Sequence, residues 1–212
     1  MGQSVTPSYN ALQAWSILGT ANYSTVLPRF GYVGHEDRQS SQFIYKTPSF
    51  GGSSAEVALI TKGDNANNAK YDMNLIYADG PISAGVAYNK TQRQKADFAL
   101  GGKYDFGDFA LSAGYCNVRY MSNANIPAGD SLKLAGYSLG GAVNFDNITF
   151  SAELQRQQES EYAFSGSIYK YKIYTDGTLE AKYALSKRTF FYTAYVRLFG
   201  SNHYGIGMQH KF

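Results

Sequence analysis

Apolar and polar residues alternate with a period of two from about residue 40 to the end of the chain, and helical i, i+3, i+4 spacing is hard to find anywhere. Ile82, Ala84, Val86 and Tyr88 share one side of an extended strand, while Ser83, Gly85, Ala87 and Asn89 fall on the other. The same division separates Phe98, Leu100 and Tyr104 from Gly101, Lys103 and Asp105, and Ile148, Phe150, Ala152 and Leu154 from Thr149, Ser151, Glu153 and Gln155. It recurs at Tyr169, Tyr171 and Ile173, and at Leu179, Ala181 and Tyr183, with charges confined to the opposite side. The pattern predicts a nearly all-β chain with about eleven or twelve strands. Eleven are placed at 40–47, 54–61, 70–78, 82–90, 96–105, 109–120, 132–145, 148–157, 168–185, 189–198 and 204–212.

The connections differ in character. Segments 48–52, 78–81, 106–108, 146–147 and 186–188 read as short turns, and 63–68, 121–130, 159–165 and 200–203 as longer polar loops, so that short and long take turns. A soluble antiparallel sandwich also alternates, but it hides the apolar side in a core between two sheets. A transmembrane barrel turns that side to lipid, keeps polar residues in a wet interior and segregates short and long loops to opposite ends. Tyr and Phe gather near strand ends, at Phe43, Tyr45, Tyr71, Tyr77, Tyr104, Phe109 and Phe145, where interface girdles belong. These features predict an antiparallel transmembrane β-barrel. An odd number of strands would have to close such a barrel through one parallel pair, so further strands are expected upstream, or one within residues 21–34.

Composition narrows the choice. The 212 residues include 22 Gly and 19 Tyr, with 17% charged residues. The single Cys, Cys116, cannot form an intramolecular bridge. Mean hydropathy is −0.33, and no stretch approaches the roughly 18 apolar residues of a membrane-spanning helix. The net charge of +3 is spread without a run of Lys or Arg, which argues against nucleic acid as a partner. Residues 1–7 have neither the basic nor the apolar region of a secretory signal, which is therefore expected to have been removed or to lie upstream.

Several short motifs resemble one family. Residues 43–52, Phe-Ile-Tyr-Lys-Thr-Pro-Ser-Phe-Gly-Gly, look like the strand and turn that follow the constriction loop of the trimeric general porins of the β-proteobacterial outer membrane. Residues 76–81 (Ile-Tyr-Ala-Asp-Gly-Pro), 102–107 (Gly-Lys-Tyr-Asp-Phe-Gly) and 183–189 (Tyr-Ala-Leu-Ser-Lys-Arg-Thr) resemble that family's periplasmic hairpins. The end, residues 204–212, is similar to its last strand, finishing on a terminal aromatic, Phe212, of the kind that the membrane-insertion machinery reads. Residues 6–15, ending at Trp15, resemble the start of its inward-folded third loop. The resemblance implies one porin-like domain over 1–212, with a constriction-loop segment at 1–39 and strands over 40–212, corresponding to the C-terminal portion of a sixteen-stranded barrel or to an unusually reduced one. It also implies a homotrimer in outer-membrane lipid and passive diffusion of ions and small hydrophilic solutes through a water-filled pore, with no cofactor.

The functional residues of such a pore are those that set its field and width, because a narrow low-dielectric passage strengthens Coulomb terms. Strand phase points Lys46, Glu56, Asp72, Lys103, Asp105, Glu153, Glu180 and Lys182 inward, with Arg38 just before the first strand and Arg29 in the expected loop. For any one of them the blander role is to keep the lumen wet. Arg38 and Lys46 stand out because they flank the strand next to the loop. The family's loops usually carry acids facing a basic wall, whereas residues 1–34 hold one base, Arg29, and no acid, and a wall position that is often Arg is Ile44. That departure predicts a weak anion preference. Trp15 is expected either to anchor the loop in the barrel or simply to pack, and Cys116 falls on the lumen side as an unreactive thiol.

Residues 136–140 match the hydrolase motif G-x-S-x-G around Ser138, but that motif needs a sharp strand-to-helix turn, and alternation runs straight through this segment. His35, His203 and His210 lack the close spacing of a metal site. Two rivals remain: a soluble β-sandwich binding module, whose apolar strand faces would meet in a core, and an outer-membrane barrel acting as an enzyme or adhesin.

Overall fold

The computed structural model describes residues 3–18, 21, 23–24, 37–62, 68–121, 131–164, 167–170 and 173–210. Its main element is one antiparallel sheet. The strands are β3 (Gln42–Lys46), β4 (Ser53–Ile60), β5 (Lys70–Asp79), β6 (Ile82–Thr91), β7 (Ala96–Asp105), β8 (Phe109–Met121), β9 (Ser131–Phe145), β10 (Ile148–Phe164), β11 (Ser167–Lys170), β12 (Thr175–Ala184), β13 (Thr189–Leu198) and β14 (Ser201–His210). They lie in sequence order from β3 to β14, with β11 pairing only with the upper part of β10, so that β10 also pairs with β12. Ahead of the sheet, β1 (Ser4–Val5) pairs with β2 (Arg38–Gln39), and helix α1 (Pro7–Trp15) lies between them in sequence.

Register puts like with like across strands. Val86, Leu100, Tyr115 and Tyr137 form one row over β6 to β9, and Gly85, Gly101, Gly114 and Ser138 form the next row on the opposite face. The apolar face is open: Val86, Leu100, Phe150 and Leu179 are 49%, 47%, 50% and 56% exposed. They do not meet in a dry interior, which removes the soluble sandwich. Aromatic residues cluster at a turn end, where Phe106 sits 4.4 Å from Tyr104 and stacks 4.3 Å from Phe109, centroid to centroid.

The chain is nearly all β, as expected, with one helix among the described residues, α1, ahead of the sheet. The sequence-based elements need three corrections. The expected strand 168–185 is two, β11 and β12, flanking residues 171–174. The expected loop 159–165 is mostly strand, because β10 runs on to Phe164 past a bulge between Gln157 and Glu159 and pairs with β11. The expected loop 200–203 is a tight hairpin in which Phe199 and Gly200 both take positive φ, 53° and 85°. Two consecutive residues of positive φ match the right-handed twist of the flanking strands, so no longer connection is needed. The loops expected at 63–68 and 121–130, and the possible strand within 21–34, fall almost wholly outside the described residues.

Candidate functional site

Helix α1 begins where the sequence offers both start signals together. Thr6 is extended (φ −82°, ψ 149°) and its Oγ1 accepts from the Tyr9 amide at 3.4 Å, while Pro7 occupies the first turn, where a missing amide costs nothing. The helix ends at Ser16, whose amide donates to the Leu12 carbonyl at 3.1 Å. A nine-residue helix is marginal alone, so its stability comes from packing of Pro7, Ser8, Ala11, Leu12 and Trp15, all buried. They pack on the polar face of β5 to β8, and Leu12 and Trp15 share a cluster with Ala87, Ala99, Cys116, Val118 and Leu134.

The segment that starts with α1 is pinned across the wall by carboxylates. Asp72 Oδ1 accepts from the Ser8 amide at 3.0 Å and from Ser8 Oγ at 2.5 Å. Glu56 Oε2 accepts from Asn10 Nδ2 at 2.8 Å and from Asn74 Nδ2 at 3.0 Å, and Asn74 Nδ2 also donates to the Pro7 carbonyl at 2.8 Å. Glu153 is the densest point. Its Oε1 accepts from Ser16 Oγ (2.8 Å), the Ile17 amide (2.8 Å) and the Leu18 amide (3.1 Å), and its Oε2 from Ser24 Oγ (2.9 Å). Tyr23 donates its phenol to Glu180, accepts at its carbonyl from Thr178 Oγ1 at 2.9 Å, and stacks on Tyr192 at 5.2 Å. Burial, with the Glu180 carboxylate beside it, pushes the Tyr23 phenol well above its usual range, so it remains a neutral donor. Each buried acid is tolerable because donors from the loop replace the water it lost.

These contacts run from β4 to β13. All of them lie on the polar face of the sheet, α1 covering β4 to β8 and residues 16–24 reaching β10 to β13, so the polar face is the covered, inner one.

Among the predicted inward charges, Glu56, Asp72, Glu153 and Glu180 are buried beneath this segment. Lys46 is exposed at the end of β3, 2.9 Å from Glu56 Oε1. Lys182 lies 2.9 Å from Glu180 Oε1, close enough for an ion pair though not aligned as a hydrogen bond, and 5.4 Å over the Phe190 ring. Lys103 is half-buried in register with Ser83 and Ser112. Asp105 is exposed at the turn, where its Oδ1 accepts from the Gly107 amide at 2.8 Å. Arg38 is exposed in β2, opposite Val5, beside the start of the loop segment. Arg29 and Phe212 lie outside the described residues. The structure thus joins Lys46 with Glu56 and Lys182 with Glu180. Among the described residues, no ion pair links Arg38, Lys103 and Asp105 to one another.

Sequence reasoning missed the loop side of these contacts: Ser8, Asn10, Ser16, Tyr23 and Ser24, and Asn74 on the wall. Thr6-Pro7 followed by Ser8, Ala11, Leu12 and Trp15 at helical spacing is the signal that could have found the helix. Residues 136–140 lie inside β9, with Ser138 buried and in register with Gly114 and Gln155, so no nucleophile elbow forms there.

The family model described as Gram-negative porin matches residues 1–203. The chain belongs to that family. No curated protein sequence matches it. Among solved structures the fold is similar to the anion-selective porin from Comamonas acidovorans, at 18% identity and TM-score 0.71, covering 100% of this chain and 73% of that one. It is likewise similar to OmpT, an outer membrane protein of Vibrio cholerae (15% identity, TM-score 0.76, 100% and 75%), and to Salmonella typhi OmpF in complex with daunomycin (14%, 0.71, 100% and 73%). This porin resides in the outer membrane of a Gram-negative bacterium, with its apolar strand faces in lipid, and lets ions and small hydrophilic solutes diffuse passively through its water-filled interior.

Proposed function

We propose that residues 1–39 form the constriction of this porin and that the inner wall beside them gives the pore a weak preference for anions. One observation carries the proposal: the four inward acids at the level of the loop, Glu56, Asp72, Glu153 and Glu180, are buried and occupied by loop or wall donors, whereas Lys46 is exposed and Lys103 and Lys182 are only partly covered. The open charges that a passing ion meets are therefore mainly cationic, three lysines against the exposed Asp105, while the covered acids and the pairing of two of the lysines with acid neighbours keep the bias small. The absence of any acid in residues 1–34 acts in the same direction. The Comamonas acidovorans porin of the same fold is anion-selective.

Lys46, Lys103 and Lys182 are the proposed field-setting residues, with Arg29 and Arg38 at the loop. The four covered acids hold the loop in place, and Asp105 closes its turn. The assembly is a homotrimer in this proposal, a point that rests on family membership alone and is tested by cross-linking in mild detergent. The selectivity is tested by the reversal potential in a KCl gradient across a planar bilayer. Anion preference is expected, and Lys103→Glu is expected to move the potential toward the cation side. A wild-type potential of cation sign would overturn the proposal.

A further inference from the structure

Three glycines in the interior of β6, β7 and β8 stand directly opposite one another, Gly85 with Gly101 and Gly101 with Gly114. A glycine inside a strand weakens it and needs a reason, commonly a bend or the close approach of another chain segment. None of the three has the positive φ that would make backbone freedom that reason. Space is the reason. A Cβ on Gly85 would come within 2.5 Å of the Ala11 carbonyl oxygen in α1, one on Gly101 within 2.4 Å of the Trp15 ring, and one on Gly114 within 2.3 Å of the far edge of the same ring. The rows on either side carry side chains, Ala87, Ala99 and Cys116 along one and Ser83, Lys103 and Ser112 along the other, so the glycines form a trough. Trp15 fills it and is 1% exposed.

We infer that the Gly85–Gly101–Gly114 trough sets the bore of the pore: it seats α1 and the Trp15 ring flush with the wall, and side-chain volume added there moves the constriction into the lumen. The inference rests on the proposal that residues 1–39 are the constriction. The obstacle at Gly101 and Gly114 is a flat ring and at Gly85 a helix backbone, neither of which can swing aside as the end of a flexible side chain would. An alanine at Gly101 therefore displaces α1 by roughly 1.5 Å, the gap between 2.4 Å and an ordinary carbon contact of about 4 Å.

Trp15 is the only tryptophan in the sequence, so its fluorescence reports the trough directly. The experiment compares the full chain with Gly101→Ala, Gly114→Ala and Gly102→Ala, each shown to be folded by heat-modifiable gel mobility. Acrylamide quenching of Trp15 and single-channel conductance are measured on each. Gly102 is the control, since it faces outward and its added Cβ would meet nothing nearer than 3.8 Å. In Gly101→Ala and Gly114→Ala the quenching constant is expected to rise about twofold and conductance to fall by roughly a quarter, with Gly102→Ala unchanged in both. The double variant Gly101→Ala/Trp15→Ala removes the clash and is expected to fold and to recover conductance. Unchanged quenching in the folded Gly101→Ala and Gly114→Ala proteins overturns the trough itself. Increased quenching with unchanged conductance, or an equal effect from Gly102→Ala, overturns the assignment of the bore to it, and the first of these also counts against residues 1–39 as the constriction. A double variant that stays narrow overturns it as well.

Discussion

Neighbouring residues of one strand meet opposite media. In β12, Thr178 and Glu180 are buried under the loop, while Leu179 between them is open to the outside. The same inversion holds in β10, where Glu153 is buried and Leu154 is exposed. In a soluble protein the leucines would be the core and the acids the surface. Here an inner position is stable when the loop brings it a donor, and an outer position is stable when it needs none, because lipid has none to give. Polarity is thus ranked by what each face can supply, and the same kind of substitution should have opposite consequences on the two.

The sharpest way to break that rule is to place a charge on the outer face. Leu100 lies in the middle of β7 and is exposed. Leu100→Arg is expected to destabilise the folded protein by about 2–4 kcal/mol if that position sits near the bilayer midplane, read as a lowered urea midpoint in lipid vesicles. A variant as stable as wild type would mean that this face does not touch lipid. On the inner face the largest effect comes from removing charge. Glu153→Ala strips the acceptor from Ser16, Ile17, Leu18 and Ser24 together. It should loosen the loop by about 2–3 kcal/mol, since donors left unsatisfied in a covered site cost more than the bonds themselves contribute. Because the loss is local, it is measured by hydrogen exchange at the Ile17 and Leu18 amides, which should speed up markedly while exchange in β13 and β14 stays as it was.

What sequence shows of this arrangement follows from how local each cause is. Alternation located the strands wherever one face is in lipid, because there every second residue is constrained. It faded in β10 beyond Gln157, where the ladder continues into β11 with Ser167 to Lys170 exposed at every position. There, hydrogen bonding rather than burial keeps the strand extended. Phase also put Glu56, Asp72, Glu153 and Glu180 on the inner face. That they lie under a cover was not legible, since the covering residues are 46 to 157 positions away from them in sequence. Helix α1 escaped because five buried positions and one cap are a faint periodic signal beside eleven alternating segments. Gly85 and Gly101 looked like ordinary small residues of a polar face, and nothing singled out Gly114, until register aligned the three under Trp15.

Smaller changes on the inner wall sharpen the comparison by separating hydrogen bonding from charge. Asp72→Asn keeps an oxygen for the Ser8 amide but loses the charge that strengthens both bonds. The expected cost is about 1 kcal/mol, seen as faster exchange at Ser8 with little change in the global urea midpoint. A loss as large as that of Glu153→Ala would show that the charge, and not the donor count, holds the loop.

The smallest effect on stability is expected at Lys46, and it is informative for that reason. Its side chain is 65% exposed while its partner Glu56 is 6% exposed, so water screens the pair from one side and Glu56 keeps its bonds from Asn10 and Asn74 when the lysine is gone. Lys46→Gln should therefore cost no more than about 1 kcal/mol. Its charge, however, faces the lumen from the strand beside the loop, and removing it leaves Glu56 uncompensated. The reversal potential in a KCl gradient should shift toward cations by a few millivolts even though folding is almost untouched. If stability falls and selectivity does not move, Lys46 belongs with the residues that hold the wall together. If selectivity moves alone, the inner face divides into covered acids that fix the loop and open bases that act on passing ions.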